Sequence, residues 1–374
     1  MRILYLTEQY TPHDFRFLNS LAKTENEIFT MQLSASKFRR ESREIPQGVT
    51  PLENSLSKLP FSWVRSRAYR DVIRKWATEI KPNVIHAGPI QHVAFFAVMN
   101  KVAPVLTMSW GSDLLVSADS NPINRWVTSY TLSHSAGLAG DCQPVKEKAL
   151  AFGMQEEDIF LFPWGIDLQQ FSPAATSQIR EKLGWQNQFV ILSNRAWESL
   201  YGVDTVVKAF INASKHVPEL RLLLLGTGSM KEQITQFIET SGVKDKVHLA
   251  GQISNDQLAD YYHASDLYIS ASYSDGSSVS LMEALACGLP TLVSDIPGNR
   301  EWVTETVEGW RFAPGDIVEL TRKMMEIFAS RGNLEPIQAA ARRKAEAKAD
   351  WSSNFLILLN AYQHVVEKSQ KEFL

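Results

Sequence analysis

The chain has 374 residues, 44% of them apolar and 21% charged, with a formal net charge of −3. That length is more than one hydrophobic core ordinarily organises, so two domains are expected, and the composition excludes a disordered chain. The small negative charge excludes nucleic acid as an electrostatic partner, and two cysteines, Cys142 and Cys287, are too few for the disulfide framework of a secreted protein.

The opening MRILYLTEQY is too short in its apolar run for a leader peptide and reads as a buried strand, which with the cysteine count predicts a cytoplasmic setting. Strands are predicted over 2–7, 28–33, 83–87, 105–110, 137–140 and 159–163 in the first half. In the second half they are predicted over 189–193, 221–226, 247–251, 267–271, 291–295 and 310–312. Helical period falls between them, over 15–23, 64–79, 203–215, 230–240, 256–264 and 280–286. Strand and helix alternating in this way predicts an α/β protein with parallel sheets covered on both faces, and the pattern occurs twice. A linker containing Asp167, Phe171, Ser172 and Pro173 separates the two runs. Two doubly wound, Rossmann-like domains are therefore expected, over 1–170 and 186–348, followed by a C-terminal helix within 349–374. That last helix can cap the second domain or cross back to the first. The longest aliphatic run, Leu222–Leu225, is far below membrane-spanning length.

Open parallel sheets bind ligands beyond the carboxyl ends of their strands, so a cleft between two facing sheets is the expected site. Periodicity alone suits a dehydrogenase, an epimerase or a periplasmic-type binding protein equally. The stretch 272–301, SYSDGSSVSLMEALACGLPTLVSDIPGNRE, narrows the field. A strand ends there, a loop of small residues follows, and a helix begins near Val279. Ser277, Ser278 and Val279 thus offer backbone N–H groups at a helix N-terminus, where phosphate is favoured. Asp275 sits in the loop and Glu283 inside the helix, where an isolated carboxylate is costly unless paired; a ribose diol is a suitable partner.

This stretch resembles the nucleotide-sugar signature of the retaining glycosyltransferases of family 4, the glycosyl transferases group 1, which have the two-domain GT-B fold. Asp275 and Glu283, with seven residues between them, then Ala284, Cys287, Gly288, Leu289 and Pro290, carry the likeness. The family's first acid is usually Glu and contacts the donor sugar; its second contacts the ribose. ILSNRAWESLYGV (191–203) is similar to the family's diphosphate-neutralising strand and turn, with Arg195 in the arginine position, Gly202 in the glycine position, and Tyr201 where the family has Lys. LLGTG (224–228), with Gly226 and Gly228, resembles the next strand and turn. LAGQISNDQLADYYHASD (249–266) resembles the base-contacting segment, which implies Gln252 and Ile253 at the nucleobase. Val84–Pro89, SWGSDL (109–114) and FPWGIDLQQFSP (162–173) resemble further segments, and Trp351 stands where the family's last helix begins before returning to the first domain.

The resemblance implies a retaining transferase moving a sugar from a nucleotide-diphosphate sugar, with UDP or GDP as carrier, to a glycan or lipid-linked acceptor in polysaccharide, glycolipid or lipid-linked glycan assembly. The sequence has no Asp-x-Asp on a loop after a strand and no His, Cys and carboxylate cluster at ligand spacing, so a metal-independent enzyme is expected. No cofactor is expected. A non-catalytic nucleotide-sugar-binding relative and a sugar-nucleotide 2-epimerase of the same fold are the alternatives. Trp110 replaces a histidine that many relatives have beside the reacting sugar. Asp113, on the following loop, is then the remaining acidic candidate of the first domain, with N-capping as its alternative reading. Asp14 and Arg16 could line the acceptor side. His86 reads as a catalytic neighbour or as a satisfied core histidine. Arg195 and the N–H groups of Ser278 and Val279 could stabilise the departing diphosphate without metal. Residues 37–81 hold eleven basic and five acidic side chains interleaved with aromatics. They read either as an amphipathic helix with a solvated face or as peripheral contact with anionic lipid on the inner face of the plasma membrane.

Overall fold

The computed structural model describes residues 1–35, 41, 43–173 and 177–371. It contains two compact units, Met1–Pro163 with Ser353–Leu374, and Trp164–Ser352. The first holds seven strands: β1 (Arg2–Thr7), β2 (Glu27–Gln32), β3 (Val49–Pro51), β4 (Val84–Gly88), β5 (Val105–Met108), β6 (Gly137–Gly140) and β7 (Ile159–Leu161). The second holds six: β8 (Phe189–Ser193), β9 (Leu220–Leu225), β10 (Val247–Gly251), β11 (Leu267–Ser270), β12 (Thr291–Ser294) and β13 (Gly309–Phe312). Their spatial orders are β3-β2-β1-β4-β5-β6-β7 and β10-β9-β8-β11-β12-β13, and every pairing is parallel. Both are doubly wound Rossmann-like sheets, whose strand order reverses at β1/β4 and at β8/β11.

Period-2 alternation explains why helices cover both faces of the second sheet. Phe189 and Ile191 join Leu222, Leu224 and Ile269 in one core, while Val190 and Leu192 join Leu223, Leu225 and Tyr268 in the other. One strand escaped the sequence reading. Only Val49 of β3 is buried, and its Pro51 has no N–H for a ladder, which an edge strand tolerates. Helices Pro122–Ser133 and Gln143–Ala151 also stand between strands, and Ile317–Ala329 after the last strand, where periodicity singled none out.

The chain passes between units at Pro163/Trp164, earlier than residue 170, because the following segment is tied into the second unit. Ile166 N donates to Ala349 O at 2.7 Å, Trp351 N donates to Ile166 O at 3.1 Å, and the buried Phe171 ring meets Tyr262 edge-on. Helix Trp351–Lys371 gives Ser353 onward to the first unit. There Leu358, Ala361, Tyr362 and Val365 are fully buried, and Asp158 meets both His364 and Lys368. No helix among the described residues is long and apolar enough to cross a membrane.

Candidate functional site

The β8/β11 reversal gathers most of the sequence-predicted residues. Arg195 lies two residues beyond β8, and the loop after β11 carries Asp275 to Ser278 before helix Val279–Ala286 begins. Ser278 caps that helix, its hydroxyl accepting from Leu281 N at 3.4 Å, so the first-turn N–H groups lie at the carboxyl end of the sheet. Ser277 Oγ accepts from the indole of the buried Trp302 at 3.3 Å.

Arg195 is the hub. Its Nη1 donates to Ser278 Oγ at 2.7 Å and Ser280 Oγ at 3.1 Å, and its Nη2 lies 2.6 Å from Asp275 Oδ2. The Tyr201 ring lies under the guanidinium at 4.3 Å, so the aromatic residue in the family's lysine position holds the arginine by its face. Burial is the largest influence and works against the Arg195 charge, but Asp275 together with Tyr201, Tyr268 and Tyr262 outweighs it and keeps the guanidinium above its ordinary value. Arginine and acid, assigned by resemblance to different parts of the donor, here bind each other.

Glu283 is 4% exposed and has a protein partner that sequence reasoning missed. The fully buried Tyr262 hydroxyl donates towards Glu283 Oε2 at 2.7 Å and Ser280 O at 3.0 Å, and accepts from Asn194 Nδ2 at 2.7 Å. Burial first, and the Glu283 charge second, push the Tyr262 phenol well above its usual range, so it remains a donor. Tyr268 of β11 meets Ser280 Oγ at 2.8 Å from the same face. The tyrosines had no motif to betray them; the usable signal was a buried carboxylate that required a donor.

Gly226 and Gly228 shape the neighbouring turn. Gly226 has φ +94°, and a Cβ there would stand 2.9 Å from Arg195 O. At Gly228 a Cβ would press on the Trp197 carbonyl and come within 2.7 Å of Glu198 Oε1. Trp197 binds this turn to the β8 loop: its N donates to Thr227 O at 3.1 Å and its indole to Leu225 O at 2.9 Å. Gln252 and Ile253 follow β10, two strands from β8; Gln252 is exposed and Ile253 half-buried.

The candidates of the first unit have structural partners. Asp113 is buried and accepts from Ile90 N at 3.0 Å, Ser109 Oγ at 2.7 Å and Leu114 N at 2.9 Å, tying the loop after β4 to the loop after β5. Asp14 accepts from Tyr5 Oη at 2.9 Å and Thr11 N at 2.8 Å and closes a capping box with Thr11. His86 is the satisfied core histidine: Nδ1 meets Tyr362 Oη at 2.6 Å and Nε2 meets Met108 Sδ at 3.1 Å. Trp110 packs beside His13 and edge-on to Phe17. Among the described residues, no group of three or more His, Cys, Asp or Glu could hold a metal ion.

Residues 175–347 match the family described as Glycosyl transferases group 1, and residues 2–139 match Glycosyl transferase 4-like. The D-inositol 3-phosphate glycosyltransferase of Xylanimonas cellulosilytica is 26% identical over 62% of this chain and 57% of its own length. The mannosylfructose-phosphate synthase of Agrobacterium fabrum is 29% identical over 54% of this chain and 46% of its own. The chain thus spans about half the length of these curated relatives. In fold it is similar to Anabaena Alr3699/HepE, solved in complex with UDP-glucose, with a TM-score of 0.78 at 17% identity over 99% of this chain and 100% of that one.

Proposed function

The chain belongs to the group 1 glycosyl transferases and has their GT-B fold, and from that premise we propose that it moves a sugar from a nucleotide-diphosphate sugar to a hydroxyl acceptor. The observation that carries this reading is the cluster at the β8/β11 reversal, where Arg195, Asp275, Ser278 and a helix N-terminus converge. UDP is the carrier we favour, since a protein of this fold has been solved with UDP-glucose. The acceptor belongs to polysaccharide, glycolipid or lipid-linked glycan assembly.

Departure of the diphosphate builds negative charge on phosphate and positive character on the sugar. Preformed donors aimed at the phosphate lower that barrier, and Arg195 with the first-turn N–H groups is such a set. In this reading the diphosphate takes guanidinium N–H groups from Asp275, and Asp275 turns to the sugar hydroxyls. Glu283, oriented by Tyr262, accepts from the ribose. The acceptor hydroxyl attacks from the face the diphosphate leaves, and the departing phosphate takes its proton. The new glycosidic bond forms as the anomeric C–O bond to phosphate breaks, configuration is retained, and neither a dedicated base nor a metal is required.

A thermal-shift panel with UDP, GDP, ADP, CMP and their sugar conjugates tests the donor site. A ligand that binds only the folded state adds about 2.7 kcal/mol at a hundred-fold excess over Kd. A shift with UDP that is lost in Glu283→Ala is the expected result; no shift with any nucleotide sinks the reading. Arg195→Ala with unchanged turnover would remove the phosphate clamp from the mechanism.

A further inference from the structure

A second feature lies in the first unit, on the helix before β4 and the helical segment after it. Helix Ser66–Ile80 and the helical segment around Phe95 enclose an open groove of about 460 Å³, lined by Arg67, Arg70, Asp71, Arg74, Phe95 and Met99 among others. Three arginines face one carboxylate. Among the described residues the one ion pair there, Arg67 to Asp71 at 3.8 Å, joins two largely exposed side chains and is weak. Among the described residues Arg70 and Arg74 make no ion pair, so the groove carries uncompensated positive charge.

The rim of this groove is aromatic and exposed. Phe95 touches the Trp63 ring at 6.0 Å on one side and the Trp126 ring at 6.0 Å on the other, so both indoles adjoin the groove. Trp63 is 43% exposed, Trp126 59%, and their apolar neighbours Val64 and Ile123 are 95% and 69% exposed. Ile123 lies one helical turn before Trp126, on the same face of helix Pro122–Ser133. Scattered exposed apolar side chains are ordinary, but here the Trp63, Phe95 and Trp126 rings run together beside a cationic groove, with Val64 and Ile123 close to them along the chain.

We propose that this surface docks on an anionic lipid bilayer, with the arginines at the headgroup phosphates and Trp63, Val64, Ile123 and Trp126 at the boundary of the acyl chains. Two features select a bilayer over a soluble anion. Indole rings favour the level where headgroups meet hydrocarbon, and a soluble anion offers nothing to cover Val64 or Ile123. Each arginine near an anionic surface strengthens binding by about 1 kcal/mol, or about five-fold. The sequence-predicted contact over 37–81 thereby narrows to 63–74 and gains a partner from helix Pro122–Ser133; Lys37, Arg39 and Arg40 lie outside the described residues. The proposal does not rest on glycosyl transfer, because docking is read without donor or acceptor.

Co-sedimentation of the full chain with phosphatidylcholine vesicles, with and without 30% phosphatidylglycerol, is the test. Binding is expected only with phosphatidylglycerol, and it weakens at high salt. Replacing Arg67, Arg70 and Arg74 together by Gln should weaken it by about a hundred-fold. Arg74→Gln alone, at an exposed position, should weaken it about five-fold and guards against misfolding of the triple variant. Trp63→Ser with Trp126→Ser should weaken binding at every salt concentration, with the thermal melt retained. Absence of binding to phosphatidylglycerol vesicles, or binding unchanged by the arginine replacements, overturns the proposal. Binding indifferent to both tryptophans but competed by a soluble polyanion also overturns it and leaves a plain anion site.

Discussion

Tyr262, which no motif names, holds together one side of the second unit's site. Its hydroxyl holds Glu283 Oε2, Ser280 O and Asn194 Nδ2 within 3.0 Å, all in the interior. Tyr262→Phe leaves a buried carboxylate with one donor fewer, which should cost about 1–3 kcal/mol in urea unfolding. If Tyr262 also orients Glu283 for the ribose, UDP affinity falls in parallel, whereas an unchanged UDP Kd would make the tyrosine purely structural. A second residue-scale prediction concerns protons. Burial draws His86 down from 6.5 to about 3, so the native histidine stays neutral where the unfolded one is charged, and its contribution is lost as pH falls from 6.5 towards 3. Burial raises Asp14 from 3.8 to about 6 against the hydrogen bonds from Thr11 and Tyr5. Its contribution has the opposite sign: present below about 4, lost as pH rises through 6. Between pH 4 and 6 the two nearly cancel. Asp14→Asn should therefore unmask a loss of about 1.4 kcal/mol per pH unit of acidification relative to the parent chain. Urea unfolding at half-unit steps measures this, and parallel curves for the two proteins would refute it.

Loops meeting at strand ends set the scale of the elements. Asp113 is the pin between the loops after β4 and β5, because one carboxylate satisfies two backbone N–H groups and one hydroxyl in the interior. Asp113→Ala orphans all three and should destabilise the protein by about 3 kcal/mol. UDP affinity should be unchanged, since the residues assigned to the nucleotide belong to the other unit; a fall in affinity with full stability would restore Asp113 to the site. The counterpart in the second unit is Trp197, which joins the turn after β9 to the loop holding Arg195. In each sheet a buried side chain thus ties together the loops after two neighbouring strands, β4 and β5 in the first and β8 and β9 in the second.

At the scale of the molecule, the last helix is part of the first core. Leu358, Ala361, Tyr362 and Val365 are fully buried, and Tyr362 caps the His86 imidazole. Each large apolar side chain buried there contributes roughly 1.5–3 kcal/mol, which together rivals the 5–15 kcal/mol that stabilises a domain. A chain ending at Ser352 is thus expected to leave the first unit open to proteolysis while the second keeps its UDP-dependent thermal shift. Equal protease resistance in both units would show that the helix is dispensable.

Local chemistry is what the sequence alone determined. Alternation of short apolar runs with helical period is written residue by residue, so twelve of the thirteen strands and both sheets' winding were legible. So were the loop–helix motif around Asp275 and Glu283 and the arginine after β8. The edge strand β3 was not, because an edge needs little apolar pattern. The tertiary structure alone decided the partners. Asp275 binds Arg195, Glu283 meets a tyrosine from a preceding helix, and Asp113 takes the N–H of Ile90 from another loop. A buried polar group must find a donor or acceptor, but which one depends on chain segments brought together by the winding of the sheet.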